Sequence, residues 1–287
     1  MSEIKPEIAE FTAVMDFFLH PPRDDGEMLR AKGFEPVYRA VERASAGRFT
    51  TTVEPQGAAK GHIFLLHGGA CILEAMKHGF VMRELADRGF RVSAFDYPLS
   101  PEAQYDEINA AVYQAYLDLK GNYPDDDLIL FGDSAGATLC LELVFRLRAA
   151  GEPVPRQMVL PCPYVDWSVT DPDLDRSLPN DPGLPKASLM VAGKYFGGTA
   201  DLKNPAVSPY FADAACFDGL GRIFMFYSTS DGLVPQFEKF AAKLTAAEGT
   251  ELTVRIAEGL YHDYVLDVGL PEAQEALDWI TDFCSEA

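Results

Sequence analysis

Basic residues are scarce in this sequence: 24 Lys and Arg stand against 44 Asp and Glu, and the formal net charge is −20. Binding to phosphate backbones depends on clustered Lys and Arg, so this balance argues against nucleic acid and anionic membrane surfaces as partners. Neutral small molecules face no such electrostatic barrier. We therefore expect a small-molecule substrate rather than a polyanion.

Cysteines and long apolar runs are also few. The five cysteines are widely spaced and form no C-x-x-C pair, which argues against a zinc site or a disulfide framework and favours a reducing compartment. No stretch approaches the roughly 20 apolar residues of a membrane helix. Met1–Glu10 lacks the basic and apolar segments of a secretory signal. These absences predict a cytoplasmic protein without a metal centre.

What the sequence does contain is an alternation of short apolar runs and helical patterns from about residue 61 onward. Several runs are continuously apolar, as expected of strands that are covered on both faces. Strand–helix repetition of this kind predicts an α/β fold with a mostly parallel, doubly wound sheet. The predicted strands are an early edge strand, Phe49–Val53, and then His62–Leu66, Arg91–Phe95, Leu128–Phe131, Gln157–Leu160, Arg222–Tyr227 and Leu252–Ile256. The predicted helices are Glu74–Arg88, Glu102–Leu119, Ala135–Ala150, Gln236–Glu248 and Pro271–Phe283.

Two segments interrupt this alternation. The first, residues 1–48, contains the amphipathic piece Ile8–Leu19, and the second, residues 166–217, is dense in Pro, Asp and Gly. So long a connection between strands is usually functional, and open α/β sheets bind ligands at the carboxyl ends of their strands. We predict a catalytic domain over residues 49–287, with the two segments as an N-terminal cap and a second cap or lid.

The strongest chemical signal is Gly132-Asp133-Ser134-Ala135-Gly136, which follows a predicted strand and opens a predicted helix. This is the strand–turn–helix context of a nucleophile elbow. The turn strains the serine backbone, so the residues two positions to either side must lack a Cβ. We predict that Ser134 is the nucleophile.

A serine nucleophile needs a base, and five histidines are available. His262 follows the last predicted strand, in a loop at the same sheet edge as the elbow. His20 precedes two prolines and His78 lies in a helical pattern, so both are predicted to be surface residues. His262 is therefore the predicted base.

The base needs a carboxylate that fixes its tautomer. Asp231 follows the predicted strand Arg222–Tyr227, and the chain order Ser…Asp…His is that of α/β-hydrolases. Asp263 adjoins His262 and is too close in sequence to orient its ring, and Asp166 is a weaker competitor. Asp231 is the predicted third member of the triad.

An oxyanion site is predicted after the strand His62–Leu66, where the chain reads His67-Gly68-Gly69-Ala70. Glycines there let backbone N–H groups turn toward a developing negative charge, together with the N–H of Ala135. His67 is predicted to brace this loop. No Lys-Ser/Thr pair follows it, which argues against a phosphate-binding loop.

These motifs, together with the segment from Asp96 to Glu102 (DYPLSPE), Asp231-Gly232-Leu233 and Gly259-Leu260-Tyr261-His262, resemble the hormone-sensitive-lipase-like branch of the α/β-hydrolases. The resemblance covers roughly residues 60 to 285. It implies a cofactor-free and metal-free esterase for short or medium acyl chains, with an N-terminal helical cap and a plausible homodimer.

The same resemblance implies that the N–H groups of Gly69, Ala70 and Ala135 form the oxyanion hole. The family motif usually has a third glycine where this chain has Ala70. Its Cβ restricts the backbone and narrows the acyl site, so slower turnover or a smaller substrate range is expected. Cys71 is a further candidate for the pocket wall.

Two alternatives to a carboxylesterase remain open at this stage. An amidase or aryl-formamidase uses the same machinery, because the cap and pocket determine which leaving group is accepted. The second alternative is a non-catalytic small-molecule binder on the same scaffold, although such receptors are expected to have lost a triad member.

Overall fold

The computed structural model describes residues 39–43, 49–75, 77–181 and 183–286. The described strands are β1 (Arg39–Arg43), β2 (Phe49–Val53), β3 (His62–Leu66), β4 (Arg91–Phe95), β5 (Leu128–Gly132), β6 (Gln157–Pro161), β7 (Gly221–Ser228) and β8 (Thr250–Ala257). The helices are α1 (His78–Asp87), α2 (Tyr105–Asn122), α3 (Ala135–Ala150), the single turn α4 (Leu174–Ser177), α5 (Lys186–Gly197), α6 (Val234–Ala246) and α7 (Pro271–Ser285).

The eight strands form one sheet in the order β1-β2-β4-β3-β5-β6-β7-β8. The β1–β2 and β2–β4 pairs are antiparallel, and every other pair is parallel. The predicted mostly parallel α/β sheet is therefore confirmed. Strand order reverses at β3, and the carboxyl ends of the parallel strands meet at the edge where such sheets place their ligands.

Both faces of the sheet are covered, which explains the continuous apolar runs. Along β5, Leu130 packs into one buried cluster with α2, α3 and α6, whereas Phe131 packs into a second cluster with α1 and α7. Successive side chains of a strand point to opposite faces, so a strand with helices on both sides needs apolar residues at consecutive positions. None of the helices among the described residues is long and apolar enough to cross a bilayer.

Helix boundaries differ from the sequence predictions mainly at amino termini. The helix predicted from Glu102 begins at Tyr105, because Gln104 and Glu107 form a capping box that fixes the first turn there. The helix predicted from Glu74 begins at His78, because Ile72 and Leu73 turn back to the carbonyl of Gly69.

The predicted second cap, residues 166–217, contains α4, α5 and three short 3₁₀ turns. Trp167 and Phe196 stack with ring centroids 4.2 Å apart, and both are fully buried in the α2–α3–α6 cluster. Most of the predicted N-terminal cap, residues 1–48, lies outside the described residues, including Ile8–Leu19 and His20. Residues 39–43 of it form β1, and the boundary at residue 48 stays a prediction.

A partly buried polar network ties the amino ends of β3 and β4 together. His62 Nδ1 lies 2.8 Å from Asp126 and its Nε2 lies 2.8 Å from Ser93 Oγ, which in turn contacts Thr52 at 2.7 Å. Arg91 also donates to Asp126, at 2.6 Å. Burial lowers the pKa of His62 to about 4, because the effect of burial is larger than the opposing effect of the Asp126 carboxylate. His62 is therefore neutral in the fold.

This low pKa predicts a loss of stability in mild acid. Below pH 6.5 the unfolded chain protonates His62 while the folded chain does not until about pH 4. Unfolding is thereby favoured across that window by about 3 kcal/mol in total. Urea titrations of the wild type and His62→Gln between pH 7.5 and 4 measure this contribution. In the variant, the free energy of unfolding is expected to depend less on pH between pH 6.5 and 4. The same pH dependence as in the wild type would contradict the assignment.

Candidate active site

Ser134 occupies a strained turn between β5 and α3. Its backbone has φ 48° and ψ −118°, a left-handed conformation that non-glycine residues rarely adopt. Backbone hydrogen bonds hold it there: its N–H donates to Pro161 O at 3.0 Å and its carbonyl accepts from Tyr164 N at 2.9 Å. A Cβ at Gly132 would clash with Gly136 O. The elbow therefore depends on glycine as its motif predicts.

His262 and Asp231 converge on this serine from two other loops. His262 Nε2 lies 2.8 Å from Ser134 Oγ, and its Nδ1 lies 2.8 Å from Asp231 Oδ2. All three side chains are buried. The carboxylate holds the proton on Nδ1, which leaves the Nε2 lone pair to accept the serine proton. Chemically, this arrangement can activate Ser134 as a nucleophile.

The two rival carboxylates occupy other positions. Asp166 accepts from the backbone N–H and the hydroxyl of Ser168, at 2.9 and 2.6 Å. Asp263 lies on the opposite side of the imidazole from Asp231, with Oδ2 3.4 Å from Nε2. Of the three carboxylates considered in the sequence, Asp231 is the one that contacts Nδ1.

Asp181 also belongs to the site, although the sequence motifs did not predict it. Its Oδ2 accepts from the backbone N–H of His262 at 2.8 Å and of Gly232 at 3.2 Å, so one carboxylate joins the loops that carry His262 and Asp231. Its Oδ1 accepts from Gly183 N at 2.9 Å. In sequence, the stretch Asn-Asp-Pro-Gly is typical of a surface turn, and no local signal distinguishes this aspartate from a turn residue.

The electrostatics around His262 favour its charged form. Burial by itself would lower the pKa of His262, but the carboxylates of Asp231, Asp263 and Asp181 outweigh burial and raise it to about 10. Burial also raises the pKa of Asp181, with repulsion from Asp231 adding to it. The cluster therefore binds a proton more tightly than an isolated imidazole would.

The prediction that His78 is a surface residue was wrong. His78 is buried at the first position of α1, and its Nε2 lies 2.9 Å from Asp133 Oδ2. The same Oδ2 accepts from the N–H of Gly68 at 3.0 Å. Burial would raise the pKa of Asp133, but His78 and His67 lower it below its ordinary value. Asp133, the first of the two variable residues in the elbow motif, thus anchors the glycine loop to the elbow.

The prediction that His67 braces this loop agrees with its contacts. Its ring stacks on Tyr97 at 4.2 Å between centroids, and its Nδ1 lies 2.7 Å from Gly68 O. The Tyr97 hydroxyl donates to the carbonyl of His67 at 2.6 Å. Ser100 N donates to Cys71 O at 2.7 Å. The segment from Asp96 to Glu102 therefore supports the loop after β3.

The N–H groups of the predicted oxyanion donors make no other hydrogen bonds among the described residues. Within the described part of the chain, the N–H groups of Gly69, Ala70 and Ala135 donate to no protein acceptor. Gly68 packs so closely on the elbow that an added Cβ would lie 3.1 Å from Ser134 Cβ. Ala70 has φ 53°, a left-handed conformation that a glycine would adopt at lower cost. Cys71 beside it is fully buried.

One group of possible metal ligands occurs among the described residues, and it overlaps the site. Cys162, His262 and Asp263 present ligand atoms within 4.8 Å of one another. Both ring nitrogens of His262 already face Ser134 and Asp231, and burial raises the pKa of the Cys162 thiol well above its ordinary value. A thiol that stays protonated is a poor metal ligand, so these residues do not fit a resident metal.

Known proteins resemble this chain in sequence and in fold. The family model of the alpha/beta hydrolase fold matches residues 63–266. An esterase of Acinetobacter venetianus is 31% identical over 240 residues, which cover 81% of this chain and 77% of the relative. A putative acetyl-hydrolase of Mycobacterium tuberculosis is 34% identical over 230 residues, covering 78% and 72%. The crystal structure of an esterase from the bacterial hormone-sensitive lipase family superposes with a TM-score of 0.81 at 23% identity, covering 99% and 98%.

The role of Asp181 predicts a stability effect. Asp181→Ala leaves the buried N–H groups of His262 and Gly232 without an acceptor, and we expect a free energy of unfolding lower by roughly 2–4 kcal/mol. Asp181→Asn is the comparison variant, because its carbonyl oxygen can still accept from both groups and only the acceptor of the Gly183 N–H is lost. It is expected to lose less stability than Asp181→Ala. Urea unfolding at pH 7.5 measures both variants. An alanine variant as stable as the wild type would show that Asp181 does not join these loops.

Proposed function

Because this chain belongs to the α/β-hydrolase family, with the motifs of its hormone-sensitive-lipase-like branch, we propose that it is a serine carboxylesterase for short- to medium-chain acyl esters. The observation that carries the proposal is the pair of 2.8 Å contacts that join Ser134 to His262 and His262 to Asp231. Relatives named as an esterase and a putative acetyl-hydrolase support the ester substrate and the small acyl group.

Acylation begins when Ser134 Oγ attacks the ester carbonyl carbon and its proton passes to Nε2 of His262. The carbonyl oxygen gains negative charge, which the N–H groups of Gly69, Ala70 and Ala135 are suited to stabilise. Asp231 keeps the proton on Nδ1 and stabilises the imidazolium. The ring then returns the Nε2 proton to the departing alkoxide, which leaves an acyl-enzyme on Ser134.

Deacylation repeats these steps with water. His262 takes a proton from the water as its oxygen attacks the acyl carbon, and the same N–H groups face the second oxyanion. Return of the proton to Ser134 Oγ releases the carboxylic acid. Every proton transfer therefore uses Nε2, the nitrogen that lies 2.8 Å from the serine.

The first test is hydrolysis of p-nitrophenyl esters from acetate to decanoate. Activity is expected to fall with chain length, and Ser134→Ala is expected to lose roughly 10³-fold or more in kcat. Ser285→Ala, on an exposed helix end, is the matched control that keeps full activity. Near-normal turnover by Ser134→Ala would overturn the nucleophile assignment.

Matched anilides, and labelling by a fluorophosphonate, complete this test. Hydrolysis of anilides but not of esters would replace the esterase with an amidase or aryl-formamidase. A folded protein that neither turns over esters nor reacts with the fluorophosphonate would be a small-molecule binder instead.

The backbone of Ala70 generates a further prediction. Ala70→Gly removes a methyl group beside the acyl site and relieves a left-handed conformation that costs alanine about 1 kcal/mol. We expect kcat/KM for p-nitrophenyl octanoate to rise several-fold relative to that for the acetate. The acetate serves as the internal control, and an unchanged ratio would show that this methyl does not limit chain length.

A further inference from the structure

Asp263 places a second carboxylate beside the imidazole of His262. Its Oδ2 lies 3.4 Å from Nε2, the nitrogen that also contacts Ser134 Oγ, whereas Asp231 occupies Nδ1. The Asp263 side chain is 7% exposed, and its Oδ1 has no hydrogen-bond partner among the described residues. The proposed steps of ester hydrolysis do not use this carboxylate, since Asp231 already orients the ring.

The local backbone explains how a sequence neighbour reaches the ring. Asp263 has φ 56° and ψ 32°, the left-handed conformation that Asp and Asn tolerate better than most residues. This turn brings the side chain back against the imidazole that precedes it. Adjacency in sequence therefore places the carboxylate at Nε2 rather than at Nδ1.

Carboxylates from three other segments act on Asp263. Asp133 comes from the elbow, Asp231 from the loop after β7, and Asp181 from the turn after Leu178–Asn180; all three repel its negative charge. Cys162, at the end of β6, adds a buried thiol. Burial raises the pKa of Asp263 well above its ordinary value, and the attraction of His262 offsets this only in part. So crowded a group of carboxylates binds a proton more readily than an isolated carboxylate does.

We propose that Asp263 is a positioning residue that shares one proton with Nε2 of His262, and so sets the pH at which Ser134 gains its base. While that proton is present, it lies either on Nε2, facing the Asp263 carboxylate, or on Asp263, donated toward Nε2. In both forms the Nε2 lone pair is engaged. Loss of the proton to solvent frees the lone pair, and the remaining carboxylate then stabilises the imidazolium that forms when Ser134 gives up its proton.

The test compares the pH dependence of kcat/KM for p-nitrophenyl acetate in the wild type and Asp263→Asn. Asparagine tolerates the same backbone and removes the negative charge while keeping the shape of the side chain. In the wild type, kcat/KM is expected to rise with pH above pH 6.5. In the variant, the same rise is expected at a pH lower by roughly 1–3 units. Glu258→Gln is the matched control, because it removes one exposed charge from the same loop without touching the ring. Its rise is expected at the same pH as that of the wild type.

This inference rests on the proposed function, so a second measurement separates the two. The ring nitrogens of His262 are titrated by ¹⁵N NMR in Ser134→Ala and in Ser134→Ala/Asp263→Asn, where no turnover occurs. A lower His262 pKa in the double variant supports proton sharing even if the protein hydrolyses no ester. If neither the rise in kcat/KM nor the NMR pKa moves in a protein that hydrolyses esters, proton sharing is overturned and the esterase stands. Asp263→Gly, which also accepts a left-handed backbone, replaces Asp263→Asn if that variant does not fold.

Discussion

Gly136, at the start of α3, packs against the end of β3 so closely that any side chain would clash with the carbonyl oxygen of Leu66. This close approach sets the position of α3 against the sheet and forces the chain through the left-handed turn at Ser134. Such a turn persists only where its surroundings determine it fully. Here two neighbouring glycines and hydrogen bonds to Pro161 and Tyr164 do so. The position of Ser134 is therefore a consequence of strand–helix packing.

The loops around the elbow are held by buried carboxylates rather than by apolar packing alone. Asp133 receives the N–H of Gly68 and contacts His78, so it fixes the glycine loop. Asp181 receives the N–H groups of His262 and Gly232, so it fixes the two other loops. Oδ2 of Asp133 and both oxygens of Asp181 accept hydrogen bonds from protein donors, which replace water lost on burial. The acidity of the site is thus partly structural.

The same acidity determines the proton affinity of His262. Three carboxylates surround one imidazole, and together they outweigh the cost of charging it in a buried position. A base with a high proton affinity accepts the serine proton readily once it is free, but it is free only at higher pH. His62, at the other end of the sheet, shows the opposite outcome: it also faces an aspartate, yet burial prevails and its pKa falls to about 4.

By itself the sequence determined the sheet, its flanking helices and the elbow, because these depend on local pattern. Short apolar runs located the central strands, with β3 and β4 matching to the residue. Gly132, Ser134 and Gly136 indicated a turn that only glycine neighbours allow. The positions of His262 and Asp231 after predicted strands, with the chain order Ser…Asp…His, were enough to predict the two residues that contact each other and Ser134. Only the tertiary structure decided that His78 is buried against Asp133, that Asp181 links two loops, and that Asp263 turns back toward Nε2. Those roles depend on contacts between residues far apart in the chain, or on one backbone angle, and neither leaves a local pattern.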